Sequence, residues 1–385
     1  MRTLAVLHIP EAGGPAQHVR PWLEELARRG SLEVVAPSEG SALELYSSFA
    51  TTTVLPYRAL SLGRGLVGAL KLGGRFAREV RVFRRHIRRA RPDLVVVVTS
   101  VVPSAAAAAA LAGTPAIVYV GELYERGLGH DTSRRAGSKL LVALLERTAS
   151  AIVCCSKAVA AQFSSSAVTI YPGIDLDRAV AGVEVARKRN GPRLAVVGNI
   201  TAARGQDVII RALPAILREL PGTTCVLAGA VLDRAADRAY YEELLALIAK
   251  LGLEDTVRLP GFVDPVSRVY DEADIVVNPA RFNEPLGLVA LEALAAGRPV
   301  VATRVGAIPE VLTHERDALL VEPDQPEALA ETILRLWRDE ALGSGLVSQG
   351  RRLAGERFEL QRSVAEFVKL VDGVLASRSA SDRAR

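Results

Sequence analysis

The sequence contains little cysteine, few aromatic residues and no long apolar run. Three of its 385 residues are cysteines, and two of them, Cys154 and Cys155, are adjacent, which favours neither a disulfide framework nor a zinc site. The longest apolar run, residues 94–112, is interrupted by threonine, serine and proline, and a bilayer span needs about 20 apolar residues. The first residues, MRTLAVLHIPEAGG, predict a strand and a glycine turn and not a signal peptide. These absences favour a cytoplasmic globular protein.

Charge is distributed unevenly along the chain. The net charge is +5, yet residues 58–91 alone hold ten arginines and one lysine against the single Glu79. Apolar residues recur there at helical spacing: Phe76, Val80, Phe83 and Ile87. They predict an amphipathic helix over about 71–91. Its arginines are either solvated on a helix packed against a sheet, or they contact an anionic membrane surface or a phosphorylated partner. Nucleic acid is a poorer fit, because no base-reading or aromatic stacking motif accompanies the charge.

A strand–helix–strand unit is predicted near the middle of the second half of the chain. Its segments are a strand at 274–278, a loop at 284–287, a helix to 296, Gly297 as the end of that helix and a strand at 299–303. Proline in a first helical turn and glycine after the last turn are typical of helix ends. Strands joined in this way are parallel. The N–H groups of residues 286–289 then offer a phosphate site at the carboxyl edge of the sheet.

Two glutamates belong to this unit. Glu284 lies in the loop, and Glu292 lies eight residues further on, two turns into the helix, where a carboxylate can accept hydrogen bonds from sugar hydroxyls. From the residues alone two interpretations stay open. One is a site for a phosphorylated sugar compound, and the other is an ordinary βαβ unit with two solvated glutamates.

The stretch EPLGLVALEALAAGRPVVAT, followed by GAIPEV, resembles the glutamate–seven–glutamate signature of retaining glycosyltransferases of family 4. The resemblance covers nearly the whole chain and is strongest over residues 193–321. It implies an α/β fold of the GT-B type, with two Rossmann-like domains facing a cleft and a C-terminal helix that crosses back to the first domain. It also implies that Glu284 contacts the donor sugar and that Glu292 binds the ribose hydroxyls. Leu286 takes the place of the usual phenylalanine.

Other positions implied by the resemblance depart from the family pattern. Arg204 takes the place of a lysine, and Asn199 stands where the family has an arginine, so one of two cations that grip the donor diphosphate is missing. Glu122 is the nearest polar residue to Gly121, where many members have histidine. The implied catalytic residues are Glu284, Arg204 and Glu122. The implied donor-binding residues are Gly13, Gly14, Asn199, Arg204, Phe262, Val263, Glu284, Pro285, Leu286, Gly287, Leu288 and Glu292.

The resemblance also implies the domain limits. Residues 1–172 with helix 361–377 form an acceptor-side Rossmann-like domain, residues 173–360 form the nucleotide-sugar-binding domain, and residues 378–385 are expected to be a disordered tail. The tail is expected to be disordered because its residues, SRSASDRAR from residue 377 onward, are mostly polar.

The implied reaction moves a sugar, with retention of anomeric configuration, from a UDP-, GDP- or dTDP-sugar to a hydroxyl of a glycan, lipid or small molecule. Biosynthesis of cell-surface glycans, glycolipids or secondary metabolites is the implied setting. No metal or other cofactor is expected, and the D-x-D spacing at 175–177 is interpreted as a local cap. A nucleotide-sugar epimerase of the same fold and a non-catalytic sugar-nucleotide-binding protein stay open. A nicotinamide dehydrogenase is disfavoured, because G-x-G-x-x-G at 63–68 lacks a clear preceding strand and a well-placed acid.

Overall fold

The computed structural model describes residues 1–11, 14–60, 65–124, 132–164, 167–176 and 190–383. The chain divides into two compact units. Unit 1 consists of Met1–Gly173 together with Leu360–Arg385, and unit 2 consists of Ile174–Glu359. The domain limits expected from the sequence differ from these by one residue at each internal boundary.

Unit 1 contains a parallel sheet of short apolar strands. Its described strands are β1 (Arg2–Val6), β2 (Ser31–Ala36), β3 (Thr51–Val54), β4 (Leu94–Val97), β5 (Ala116–Val120), β6 (Ala151–Cys154) and β7 (Ala167–Thr169). They pair in the order β3-β2-β1-β4-β5-β6-β7, with every neighbouring pair parallel. β4, β5 and β6 are buried at every residue, as strands are when helices cover both faces of a sheet.

The helices of unit 1 include the C-terminal segment of the chain. They are α1 (Gly14–Arg28), α2 (Ser41–Glu44), α3 (Gly65–Ala90), α4 (Pro103–Leu111), α5 (Thr132–Thr148), α6 (Lys157–Ala160) and α14 (Leu360–Arg383). α14 packs on α1, where the rings of Phe367 and Trp22 stack with centroids 4.6 Å apart. Trp22 Nε1 also donates a hydrogen bond to Ser363 Oγ at 3.0 Å. The expected return of the last helix to the first domain is confirmed.

Two segments of unit 1 differ from the expectation. α14 is helical to Arg383, so most of the predicted disordered tail is helix, and its last two residues lie outside the described part. Arg378 Nη1 donates a hydrogen bond to the carbonyl of Asp93 at 3.4 Å, and no local sequence pattern predicts this contact. The basic helix α3 begins at Gly65. It therefore contains the last four residues of the G-x-G-x-x-G run, whose residues 63 and 64 are outside the described part.

Unit 2 repeats the architecture. Its described strands are β8 (Arg193–Val197), β9 (Thr224–Ala228), β10 (Val257–Gly261), β11 (Ile275–Asn278), β12 (Val300–Thr303) and β13 (Leu319–Val321). Its helices are α7 (Gln206–Glu219), α8 (Ala235–Leu251), α9 (Ser267–Glu272), α10 (Leu288–Ala295), α11 (Ile308–Val311), α12 (Pro326–Arg338) and α13 (Glu340–Arg357). The strands pair in parallel in the order β10-β9-β8-β11-β12-β13.

The core of unit 2 fills the space between one face of its sheet and the apolar stripes of α7, α8 and α12. Leu227 and Val277 from the sheet and Ile209 from α7 are among its fully buried members. The predicted strand–helix–strand unit is confirmed, because β11 and β12 pair in parallel on either side of α10. Gly297 follows α10 with φ +69°, the left-handed conformation that commonly ends a helix. None of the described helices is long and apolar enough to cross a bilayer.

Candidate active site

Each sheet has one place where the order of its strands reverses direction along the chain. In unit 1 this place lies between β1 and β4, and in unit 2 it lies between β8 and β11. Ligands of open α/β sheets bind at such switch points, outside the carboxyl ends of the strands. Three of the residues singled out by the sequence follow these strands: Gly14 begins the helix after β1, and Arg204 and Glu284 follow β8 and β11.

Arg204 and Glu284 meet at the switch point of unit 2. Arg204 ends a 3₁₀ turn, Ala202–Arg204, that follows β8, and Glu284 lies between β11 and α10. Arg204 Nη1 donates to Glu284 Oε2 at 2.9 Å, and the two side chains are 28% and 9% exposed. Burial raises the pKa of Glu284 above its usual range, and the Arg204 guanidinium counteracts this effect. The structure thus brings together a buried carboxylate and a partly exposed cation from positions 80 residues apart.

Two glycines shape the loop that holds Glu284. Gly306 has φ +54°, and a Cβ on it would lie 2.2 Å from the Glu284 carbonyl oxygen. That oxygen accepts a hydrogen bond from the Ala307 N–H at 2.8 Å. Gly287 precedes α10 with φ +85°, and a Cβ there would lie 2.3 Å from Ile308 Cδ1. Both positions require a residue that tolerates positive φ and has no side chain.

A second ion pair braces the turn that carries Arg204. Arg281 donates to both carboxylate oxygens of Asp207, at 2.6 Å and 2.7 Å, and Tyr240 Oη donates to Asp207 Oδ1 at 2.7 Å. Burial acts to raise the pKa of Asp207, but these hydrogen bonds outweigh it and hold the pKa below its usual value. The Arg281 N–H also donates to the carbonyl of Ala203 at 2.9 Å. No sequence pattern singled out Arg281, Asp207 or Tyr240.

Glu292 lies on α10 and is bonded to a tyrosine. Its Oε2 accepts a hydrogen bond from Tyr270 Oη at 2.8 Å. Burial raises the pKa of Glu292, and the bond from Tyr270 opposes that shift. Tyr270 belongs to α9 and is itself buried. Neighbouring positions on the loop into α10 are Pro285 and Leu288, which are half-buried, and Leu286, which is buried.

The remaining predicted donor residues follow β8 and β10. Asn199 is exposed, and its carbonyl accepts a hydrogen bond from Gln206 Nε2 at 3.0 Å. Phe262 is 69% exposed, and Val263 beside it is half-buried. A cavity of about 530 Å³, lined by residues of β8, β9, β10 and α9, reaches Val263 but not Arg204 or Glu284. Because β8 and β10 are parallel to β9, Asn199 and Phe262, which follow them, lie at the same edge of the sheet.

In unit 1 the carboxylate of Glu122 is held by hydrogen bonds from residues that follow β4 and β5. It accepts hydrogen bonds from Thr99 Oγ1 at 2.6 Å and Ser100 Oγ at 3.0 Å, both beyond the end of β4. The Gly121 N–H adds a third bond at 3.1 Å. His8 follows β1, and burial lowers its pKa, although Glu122 and Glu11 act in the opposite direction. His8 was missed because a lone histidine after a strand has no distinctive pattern.

The glycine turn after β1 is only partly described. Gly13 lies outside the described residues, and Gly14 begins α1. A Cβ on Gly14 would lie 3.3 Å from Cε1 of His18. Burial lowers the pKa of His18 to about 4, so its ring is neutral at neutral pH.

The D-x-D spacing raises the question of whether the part of the chain that the structure describes holds a metal site. No group of three or more histidine, cysteine or acidic side chains there could hold a metal ion. Of the two acids in the D-x-D spacing, Asp175 is described and Asp177 lies outside the described residues.

Two Rossmann-like parallel units, each with polar residues at its switch point, define the class of nucleotide-binding α/β proteins. Within that class the sequence identifies the family. Residues 12–178 match the family model described as Glycosyltransferase Family 4, and residues 191–339 match the model described as Glycosyl transferases group 1. The chain belongs to the family 4 glycosyltransferases.

Known proteins resemble the chain in sequence and in fold. An uncharacterized glycosyltransferase of Methanocaldococcus jannaschii is 34% identical over 45% of this chain and 43% of its own length. The D-inositol 3-phosphate glycosyltransferase of Salinispora arenicola is 32% identical over 54% of this chain and 50% of its own length. The chain therefore spans about half the length of the curated relatives it matches. Anabaena HepE, solved in complex with UDP-glucose, aligns with a TM-score of 0.80 and 21% identity over 97% of this chain and all of that one. The expected GT-B fold is confirmed.

Proposed function

We propose that the chain transfers a sugar from a nucleotide diphosphate sugar to an acceptor hydroxyl. The observation that carries this proposal is the Arg204–Glu284 pair at the switch point of unit 2, 2.9 Å between Nη1 and Oε2. A permanently charged guanidinium suits a diphosphate, and a carboxylate suits sugar hydroxyls. Because Anabaena HepE was solved with UDP-glucose, a UDP-sugar is the first donor to test, ahead of GDP- and dTDP-sugars.

In the proposed mechanism, negative charge builds up on the departing nucleoside diphosphate. Arg204 and the N-terminus of α10, at Leu288, stabilise that charge electrostatically. Glu284 accepts hydrogen bonds from the transferred sugar, and Glu292 accepts them from the ribose. Phe262, with Val263, contacts the base. The leaving phosphate takes the proton of the acceptor hydroxyl, the anomeric configuration is retained, and no metal takes part.

Unit 1 supplies the acceptor side in this proposal. The Glu122 carboxylate is held by Thr99 and Ser100, so it can accept a hydrogen bond from an acceptor hydroxyl without reorganising. A glycan, a lipid-linked sugar or a small polyol would each present such a hydroxyl, and the D-inositol 3-phosphate glycosyltransferases among the relatives make a small polyol phosphate the first acceptor to try. Biosynthesis of a cell-surface glycan, a glycolipid or a secondary metabolite would use such a product.

An anionic membrane surface is the proposed partner of α3. Four exposed arginines, Arg78, Arg81, Arg85 and Arg88, are spaced three, four and three residues apart, so they lie along one face of the helix. Within the described residues none of the four forms an ion pair. An uncompensated arginine stripe is attracted to anionic headgroups by about 1 kcal/mol per charge near the surface.

A nucleotide panel followed by a transfer assay tests the proposed function. The wild-type protein is melted with UDP, GDP, dTDP and their sugars, with and without a chelator, and the stabilising sugar nucleotide is then offered with polyol, glycan and lipid acceptors. Glu284→Gln should lower turnover by roughly a hundredfold while the protein stays folded, and the exposed Glu327→Gln serves as a matched control. Donor consumption without transfer would favour the epimerase, and normal turnover of E284Q would overturn the assignment.

A further inference from the structure

The guanidinium of Arg204 lies against an aromatic ring as well as against Glu284. Its Cζ is 5.0 Å from the centroid of the Phe282 ring. On Gly198, which has φ +138°, a Cβ would lie 3.4 Å from Arg204 Nε and 3.6 Å from its Cζ. An aromatic face attracts a guanidinium and restrains its plane. A Cβ at residue 198 would make only an ordinary van der Waals contact with Arg204, so glycine is favoured there by its positive φ and not by space.

The other cations near this turn are already engaged. Arg281 gives two hydrogen bonds to Asp207 and a further one to the carbonyl of Ala202, and Arg211 lies 3.6 Å from Asp207 Oδ2. Asn199 is neutral. A guanidinium carries five N–H donors, and within the described residues Glu284 is the sole hydrogen-bond acceptor that the Arg204 side chain contacts. Arg204 therefore keeps donors available for a ligand.

We propose that Phe282 is a positioning residue that orients Arg204 as the single planar cation for the donor diphosphate. The proposal rests on the proposed function and adds a role for Phe282 in it. Phe282 itself is held in place, because its N–H donates to the carbonyl of Ala203 at 3.3 Å, in the same turn as Arg204. The backbone of Phe282 is thus bonded directly to the turn that carries Arg204. A lysine at residue 204 would have neither the plane to stack nor the fork to bind two phosphate oxygens.

The test compares nucleoside diphosphates with monophosphates by calorimetric titration, using UDP and UMP, GDP and GMP, and dTDP and dTMP. Phe282→Leu keeps an apolar side chain but removes the aromatic face, and Phe282→Tyr keeps the face. We expect F282L to lower the affinity for the diphosphate, relative to its monophosphate, by about fivefold, the size of a partly exposed cation–π contact. F282Y should bind the diphosphate within about twofold of wild type, since the contact is retained.

Phe49 provides a matched control, because its ring lies 5.8 Å from Arg20 Cζ in unit 1. Phe49→Leu should leave the diphosphate-to-monophosphate ratio unchanged. A purely structural role for Phe282 would weaken both nucleotides together, and that result, or an unchanged ratio in F282L, overturns the inference while the proposed function stands. A wild-type protein that binds none of the diphosphates overturns the proposed function and this inference together.

Discussion

Replacing Arg204 with leucine would leave Glu284 buried without its cation, and the loss of stability should depend on pH. Leaving one member of a buried ion pair unpaired costs about 3 kcal/mol or more when that member is charged. For unit 2, residues Ile174–Glu359, this corresponds to a fall in melting temperature of roughly 6–12 °C. The carboxylate can escape part of this cost by binding a proton.

The direction of the pH effect follows from the pKa of Glu284. Burial raises this pKa and Arg204 lowers it, so Arg204→Leu raises the folded-state value further above the unfolded one. The folded variant then binds a proton more tightly than the unfolded chain, and its stability falls as pH rises above the unfolded pKa. R204L should therefore be close to wild type at pH 5 and clearly less stable at pH 8, as measured by thermal melts at both pH values.

Two further variants separate this explanation from a general loss of packing. The double variant R204L/E284Q has no buried charge and should recover more than half of the stability that R204L loses at pH 8. Arg335→Leu breaks a pair with Glu315 in which both side chains are about half exposed, and it should leave the melting temperature unchanged at both pH values. Equal destabilisation of R204L at pH 5 and pH 8, or a double variant no more stable than the single one, would refute the reasoning.

Three other predictions concern ligands. Tyr270→Phe removes the hydrogen bond that opposes the raised pKa of Glu292, so the affinity for the nucleoside diphosphate should fall about fivefold. The loss should be larger at pH 6 than at pH 8, because more of the Glu292 carboxyl is protonated at the lower pH. Titration with the 2′,3′-dideoxy nucleotide, which lacks the ribose hydroxyls, should show no such loss. Asn199→Arg adds a cation beside the proposed diphosphate site and should tighten calorimetric binding of that nucleotide by about tenfold; unchanged or weaker binding would place Asn199 away from the phosphates. The double variant Arg81→Glu/Arg85→Glu should no longer co-sediment with phosphatidylserine vesicles, and neither it nor the wild type should bind phosphatidylcholine vesicles. Transfer to a water-soluble acceptor should be preserved. Undiminished sedimentation with phosphatidylserine would exclude α3 as the membrane contact.

Local pattern was enough to predict the parts of the site that lie in one stretch of sequence. The strand–helix–strand unit around Glu284 was predicted because apolar strands and a glycine after the helix are visible within a few residues. The prediction of Pro285 in the first helical turn was wrong, because α10 begins only at Leu288. The family resemblance then pointed to Arg204, and the structure places it beside Glu284. These two residues are 80 positions apart, and no periodicity in either segment indicates their contact.

The parts that could not be predicted depend on how separate loops approach each other. The Arg281–Asp207 pair joins residues 74 positions apart, and Phe282 meets Arg204 only because the loop after β11 crosses the turn after β8. Polar composition alone suggested a disordered C-terminus, yet α14 persists to Arg383 with Arg378 reaching Asp93. In each case a tertiary contact decided a conformation that local propensity left open.

The packing of α14 on α1 also fixes an order of events during synthesis. Trp22 is made early, but its stacking partner Phe367 and its hydrogen-bond partner Ser363 emerge from the ribosome only after all of residues 174–359. The second unit is a continuous insertion and can fold as soon as it has emerged, since domains fold as units in the course of translation. The first unit, although it starts first, is completed last, and until then the indole of Trp22 lacks the stacked ring of Phe367.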